Sequence, residues 1–235
     1  FFEMSPLTIT QKLRLVRTVV FNVKRYKSDC PLLIQNHFFD PKAQQFFYNV
    51  RIKQKIIGMM VGIHAWLAFF LQKQNFDRNS VFLHACLVVA YDDLIDVYKF
   101  HDWKNIEKCI LSNPSDKVIH EKLIPLKSAI DSFRKRLPQT WEMGLNDVLE
   151  IHRNSRDQSD PGISDKQIRD ITYSKGEAAY RMMARLVDPQ LKHFHVRHIS
   201  DFGSSMQFAD DIFDLKEDMK LGLETPATRR LILPE

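Results

Sequence analysis

Residues Gln207 to Asp218, QFADDIFDLKED, place five acids within nine positions. Asp210, Asp214 and Asp218 fall at i, i+4 and i+8, so a helix would stack their carboxylates on one face over two turns. Asp211 and Glu217 sit beside them. Carboxylates crowded this way repel one another unless cations hold them. A hard divalent ion takes oxygen ligands, and Mg²⁺ usually binds through a few carboxylates plus the phosphates of a substrate. A second cluster, Asp92, Asp93 and Asp96 in YDDLID, follows the apolar run from Val81 to Ala90. Acids that end an apolar helix are poorly explained as a solvated face, because buried charges need partners. The two clusters together point to one metal site for a diphosphate.

Such a site neutralises a leaving diphosphate. The carbocation left behind needs a dry cavity whose walls face it without capturing it, and aromatic faces meet that need through cation–π contact. Phe69, Phe70, Phe82, Tyr91, Tyr173, Tyr180 and Phe208 lie on the relevant helices. For each one taken singly, core packing is the simpler role.

QFADDIFDLKED resembles the second aspartate-rich motif of the squalene/phytoene synthase group. YDDLID is similar to the first DDxxD motif that this group shares with the chain-elongating prenyltransferases and the class I terpene synthases. The resemblance implies an all-α, single-domain helical bundle over residues 1–235, of the isoprenoid synthase type with a central active-site cavity. It implies a prenyl diphosphate substrate and three Mg²⁺ ions. Asp92 and Asp96 would hold two ions from one wall, and Asp210, Asp214 and Asp218 the third from the other. Asp93, Asp211 and Glu217 would support them. In the superfamily the helix before the second motif breaks beside the diphosphate. Gly176 would supply that break and free backbone N–H groups. Lys175, Tyr180 and Arg181 would then contact the diphosphate, while Arg229 and Arg230 could close over it.

The expected activity is that of a class I terpenoid synthase, a transferase or lyase that cyclises or quenches the cation and releases pyrophosphate. Head-to-head condensation of two prenyl diphosphates is the alternative, and a prenyl-lipid-binding protein without turnover is the non-enzymatic one. Two departures bear on head-to-head condensation. Val89 stands where the squalene and phytoene synthases usually place Arg, and members of that group continue with helices beyond the equivalent of Pro234.

Two other helical metal chemistries fit poorly. Di-iron bundles use Glu-x-x-His on two helices, and no such tetrad occurs in this sequence. His101-Asp102 would need further ligands from scattered histidines such as His64 and His84, and so short a motif is nonspecific.

The elements that must position these acids are all helical. Nothing alternates with period two for long enough to make a sheet. With 7 glycines in 235 residues, Gly-rich phosphate loops are not expected. The spacing predicts helices from Leu7 to Tyr26, with a break over Ser28 to Pro31, and from Pro41 to about Gln74, bent near Gly58 and Gly62. Asp40 would cap the second of these. Further helices are expected over Val81–Tyr98, Trp103–Leu111, Lys117–Arg136 and Thr140–Arg156. After the loop Asp157–Gly162, one begins at Ser164-Asp165 and another opens at Pro189 and runs unbroken to about Lys220. Ile56 to Leu71 carries no formal charge but falls short of a membrane span, so a buried core helix is expected.

The formal charge of +5 is scattered, with no basic stripe interleaved with aromatics, so nucleic acid is not an expected partner. A solvated basic surface is the simpler reading, and such a surface could also favour peripheral contact with anionic membrane, weakly. Cys30, Cys86 and Cys109 lack metal or redox spacing, which suits a reducing, cytoplasmic setting. The sequence leaves oligomeric state open, a homodimer included.

Overall fold

The computed structural model describes residues 9–69, 77–113, 120–187 and 193–231. These residues form ten α-helices and one 3-10 turn, with no strand among them. The all-α expectation holds. The chain groups into two compact units, Phe1–Val89 and Ala90–Glu235. The division falls inside a helix, between Val89 and Ala90. Both acidic clusters therefore belong to the second unit.

In the first unit, α1 (Ile9–His37) runs through Pro31, so the break expected at Ser28–Pro31 does not occur. Proline removes one i→i−4 bond and crowds the preceding turn. The carbonyl left over belongs to Lys27, which is exposed to water. Tyr26, Cys30 and Ile34, one turn apart and fully buried, hold the helix on course. Helix α2 (Pro41–Tyr48) starts as expected, with the Asp40 carboxylate accepting from the Lys42 and Ala43 amides. It stops at Asn49, whose extended backbone separates it from α3 (Val50–Phe69). The Asn49 side chain accepts from the Arg51 amide at 3.0 Å and so caps the new helix. The break thus comes before Gly58 and Gly62, both of which sit inside α3.

Ile52, Ile56, Met60, Ile63 and Leu67 form the buried stripe of α3 against α1. His64 joins it through a 2.8 Å hydrogen bond with the Tyr26 hydroxyl. Among the described residues no helix is long and apolar enough to cross a membrane. Helix α4 (Arg78–Asp96) is capped by Asp77, which accepts from the Asn79 amide at 3.1 Å and the Ser80 hydroxyl at 2.7 Å. It ends near the first acidic cluster, where Lys99 takes a positive φ of 47° and the Phe100 amide bonds back to Leu94.

In the second unit, α5 (Trp103–Leu111) has the expected bounds, with Asp102 capping it through the Asn105 amide at 3.2 Å. His101 lies tilted on Trp103. The His101-Asp102 pair is thereby accounted for as a helix start. A 3-10 turn (Glu121–Leu123) leads into α6 (Ile124–Arg136), and α7 (Pro138–Ser155) follows with proline in its first turn. Helix α8 is Asp165–Val187 and α9 is His193–Phe213. The expected opening at Pro189 lies outside the described residues. The helix does not run unbroken to Lys220. It bends at Asp214 and resumes as α10 (Leu215–Leu221), which Gly222 ends at φ 67°. Asp is a poor residue for a helix interior because its side chain competes for nearby backbone donors.

Helix α8 packs along α7 on one side and α9 on the other. The α8–α9 contact is closest at two glycines. A Cβ on Gly176 would lie 2.7 Å from the carbonyl carbon of Gly203 and 2.9 Å from Gln207 Cβ. A Cβ on Gly203 would lie 2.7 Å from Tyr180 Cβ. Gly176 therefore does not break α8. Its missing side chain lets α9 come against the α8 backbone.

Candidate functional site

The antiparallel pair α8–α9 sets up the acidic site in four-residue steps. Thr172, Gly176 and Tyr180 of α8 face Asp211, Gln207 and Gly203 of α9. Thr172 donates to Asp211 at 3.2 Å, and the Gln207 amide donates to Asp211 at 3.1 Å. Asp211 is 5% exposed, so these two donors hold the last turns of α9 in register. Its neighbour Asp210 is turned about 100° round the helix and is open to solvent. At the bend the Asp214 amide still bonds to Asp210 O at 2.8 Å, and the Asp218 amide to Asp214 O at 2.9 Å. The stacking of the three carboxylates expected for a straight helix is thus altered by the bend while the acids stay one turn apart.

Lys175 is where the two clusters meet. Its ammonium lies 3.4 Å from Asp92 Oδ1 and 3.2 Å from Gln158 Oε1, and its side chain is 11% exposed. Burial acts to lower its pKa, but the charges of Asp92, Asp96, Asp211 and Asp210 outweigh that and hold it above the ordinary lysine value. Acids at the end of α4 and acids at the end of α9, more than a hundred residues apart, therefore surround one cation within the second unit.

The same crowding shifts the acids. Burial, then the charges of Asp92, Asp214 and Asp211, raise Asp210 to about 7. Its outer edge touches solvent, yet the protein around it removes enough hydration to disfavour the charge. Burial raises Asp211 to about 6 against its two donors, and burial followed by Asp211, Asp214 and Asp92 raises Asp218 to about 7. Asp96 is pushed well above its usual range by burial and then by Asp92, with Asp218 adding to it. Asp93 is buried at 1% exposure on a different face of α4 from Asp92. Among the described residues, no three His, Cys, Asp or Glu side chains already stand as a formed ligand group. The donor chemistry, hard carboxylate oxygens carrying more mutual repulsion than one ammonium relieves, fits a divalent cation of the Mg²⁺ kind.

These shifts carry a stability consequence. A carboxyl whose folded pKa is raised keeps its proton in the folded state after the unfolded chain has lost it. Stability then falls as pH rises through the window between the two values. His64, His84 and His152 are lowered by burial and act oppositely, but only below the ordinary histidine range near 6.5. Between about pH 6.5 and 8, Asp96, Asp210 and Asp218 dominate. In EDTA the melting temperature is expected to fall by a few degrees across that window, and Asp210→Asn is expected to shrink the fall. A melting temperature that rises from pH 6.5 to 8 would refute the crowding.

The other expected contacts distribute unevenly. Tyr180 is half-buried, edge-on to Phe202 at 5.4 Å, and is raised by burial and then by Asp210, so it stands near the acids. Tyr91 is buried and hydrogen-bonds His152 Nδ1 at 3.0 Å, one residue from Asp92. Phe208 is half-buried on α9. Tyr173 is 41% exposed and donates to Asp201 at 2.7 Å, two residues and therefore about 200° round α8 from Lys175. Phe82 packs in the first unit against Phe38 and His37. The side chains of Phe69 and Phe70 lie outside the described residues.

Arg181 is not free to meet a diphosphate as it stands. It pairs with Asp147 at 2.7 Å, with Glu177 at 3.0 Å and with Glu150, tying α7 to α8. Arg229 pairs with Glu224 and donates to Pro161 O at 2.9 Å, fastening the tail to the loop that carries Gln158. The Glu224 amide donates to Gln158 O at 2.9 Å in the same junction. Sequence reasoning missed Gln158, Thr172 and Gly203. Only the i+4 spacing of Gly203 and Gln207 to Asp211 hinted at a packed stripe. No family model, no curated protein and no solved structure matches this chain.

Proposed function

We propose that this chain is a Mg²⁺-dependent class I terpenoid synthase, of the isoprenoid synthase fold, acting on a prenyl diphosphate. The observation that carries the reading is the meeting of YDDLID and QFADDIFDLKED around Lys175 in one compact unit. Asp92, Asp96, Asp210, Asp214 and Asp218 would hold the ions, with Asp93 and Asp211 as further carboxylates. When bound, the ions supply charge neutralisation of the leaving diphosphate. The chain's own residues do the rest. Asp211, held by Thr172 and Gln207, fixes the direction of the acid-bearing turns. Lys175 stays protonated across physiological pH and offers an ammonium to diphosphate oxygens beside its own carboxylate partners. Tyr91, buried, and Tyr180, half-buried, would contribute aromatic faces near the acids.

The test is incubation with C10, C15 and C20 prenyl diphosphates, with Mg²⁺ or with EDTA, reading pyrophosphate release and extracted hydrocarbons together. Mg²⁺-dependent release with a terpene of the substrate's carbon number is the expected result. A product of doubled carbon number would replace the reading with head-to-head condensation. Prenyl diphosphate binding that ignores Mg²⁺ and gives no release would replace it with a lipid-binding role.

A further inference from the structure

We propose that the exposed face of α1 is a docking surface for an anionic lipid bilayer. This goes beyond the reading of the acidic site and does not depend on it. Residues 4–28 contain no Asp or Glu, while Lys12, Arg14, Arg17, Lys24, Arg25 and Lys27 all carry positive charge. On the α1 face, Leu13, Val16, Val20 and Phe21 are 65%, 58%, 52% and 64% exposed. Arg17, Lys24 and Lys27 are exposed with them. At 100° per residue these seven positions fall within an arc of about 140°. The other side of the helix is used inward, where Asn22, Tyr26 and Cys30 are buried.

A helix face that mixes exposed apolar residues with cations and carries no acid has the composition of one that lies in a membrane interface. Its apolar residues enter the acyl boundary, while lysine and arginine stems reach the lipid phosphates. Charge selects this occupant over a second copy of the chain. A two-fold partner laid on the same face would bring Arg17, Lys24 and Lys27 of both chains together with no acid on the face to answer them. Charge also sets α1 apart from the exposed apolar residues Ile212, Phe213 and Met219. They lie among Asp210, Asp214, Glu217 and Asp218, which an anionic bilayer repels.

Co-sedimentation with phosphatidylcholine vesicles, with and without about one-third phosphatidylserine, tests the proposal. The protein is expected to bind the anionic vesicles and to be released as salt rises from about 50 to 500 mM. Val20→Glu with Phe21→Glu should weaken binding about tenfold or more. Lys24→Ser with Lys27→Ser should weaken it about tenfold on anionic vesicles alone. Phe21→Ser, a milder change at an exposed position, should weaken it less and leave the melting temperature unchanged. The proposal is overturned if the parent protein binds neither vesicle. It is also overturned if Phe213→Glu abolishes binding that the α1 variants retain. A lipid-independent dimer that Val20→Glu with Phe21→Glu dissociates would overturn it in favour of a second copy.

Discussion

Alanine at position 176 is expected to lower the melting temperature by roughly 6–12 °C, a loss of about 3 kcal/mol or more in a chain of this size. The added methyl meets the Gly203 carbonyl group and Gln207 Cβ, not the mobile end of a side chain. Backbone cannot rotate away, so α9 must move off α8. The movement would also strain the Thr172–Asp211 bond four residues along. Gly203→Ala should behave similarly, because its methyl would meet Tyr180 Cβ and the Gly176 carbonyl. Gly58→Ala and Gly62→Ala provide the contrast. Nothing lies within 4 Å of either added methyl, so both should leave the melting temperature level or raise it, since alanine favours the helix. Thermal unfolding of the four variants by circular dichroism decides the matter. An unchanged melting temperature for Gly176→Ala would mean that the two helices do not pack as closely as described.

Asp92→Ala is expected to cut pyrophosphate release about 10³-fold, which corresponds to about 4 kcal/mol of lost transition-state stabilisation. The same variant should be no less stable than the parent. Asp92 raises Asp96, Asp210, Asp211 and Asp218, so its removal relieves four crowded carboxyls. Lys175 keeps Asp96, Asp211 and Asp210 around it after Asp92 is gone. Activity and stability should therefore move apart, which is the mark of a residue placed for chemistry and not for packing. Asp214→Ala should lose activity to a similar degree. Full turnover in either variant would remove the assignment of these acids to a metal site and, with it, the synthase reading.

Lys175 gives the two clusters a common reference. Six carboxylates contributed by α4, α9, the bend after it and α10 lie within electrostatic reach of a single ammonium or of one another. A substrate bearing negative phosphate oxygens would compete with those carboxylates for Lys175. The Gln158 contact links that lysine to the loop fastened by Glu224 and Arg229. A tail that the sequence offered only as a lid of two arginines is instead a tether for the loop.

The sequence by itself determined the helical content, because apolar residues recur at helical spacing and almost nowhere at strand spacing. It determined the starts of α2 and α5, because Asp40 and Asp102 satisfy orphan amides through contacts only two or three residues long; α4 begins at Arg78, three residues before the expected Val81. It also singled out the acids, whose crowding is visible in one dimension. Tertiary structure alone decided which cation they share and what Gly176 is for. A glycine in a helix reads as a weak point when nothing else is known, but the backbone of α9 arriving at that point turns it into a contact. Pro31 shows the same physics in reverse: a local signal to break was overruled by buried neighbours on the same stripe. Arg181 was drawn from the expected diphosphate set into carboxylates on α7 that lie more than thirty residues away. Local hydrogen bonds are written in the sequence because their partners are adjacent in it. Close packing and charge pairing across helices depend on which distant segments meet, and only the folded chain fixes that.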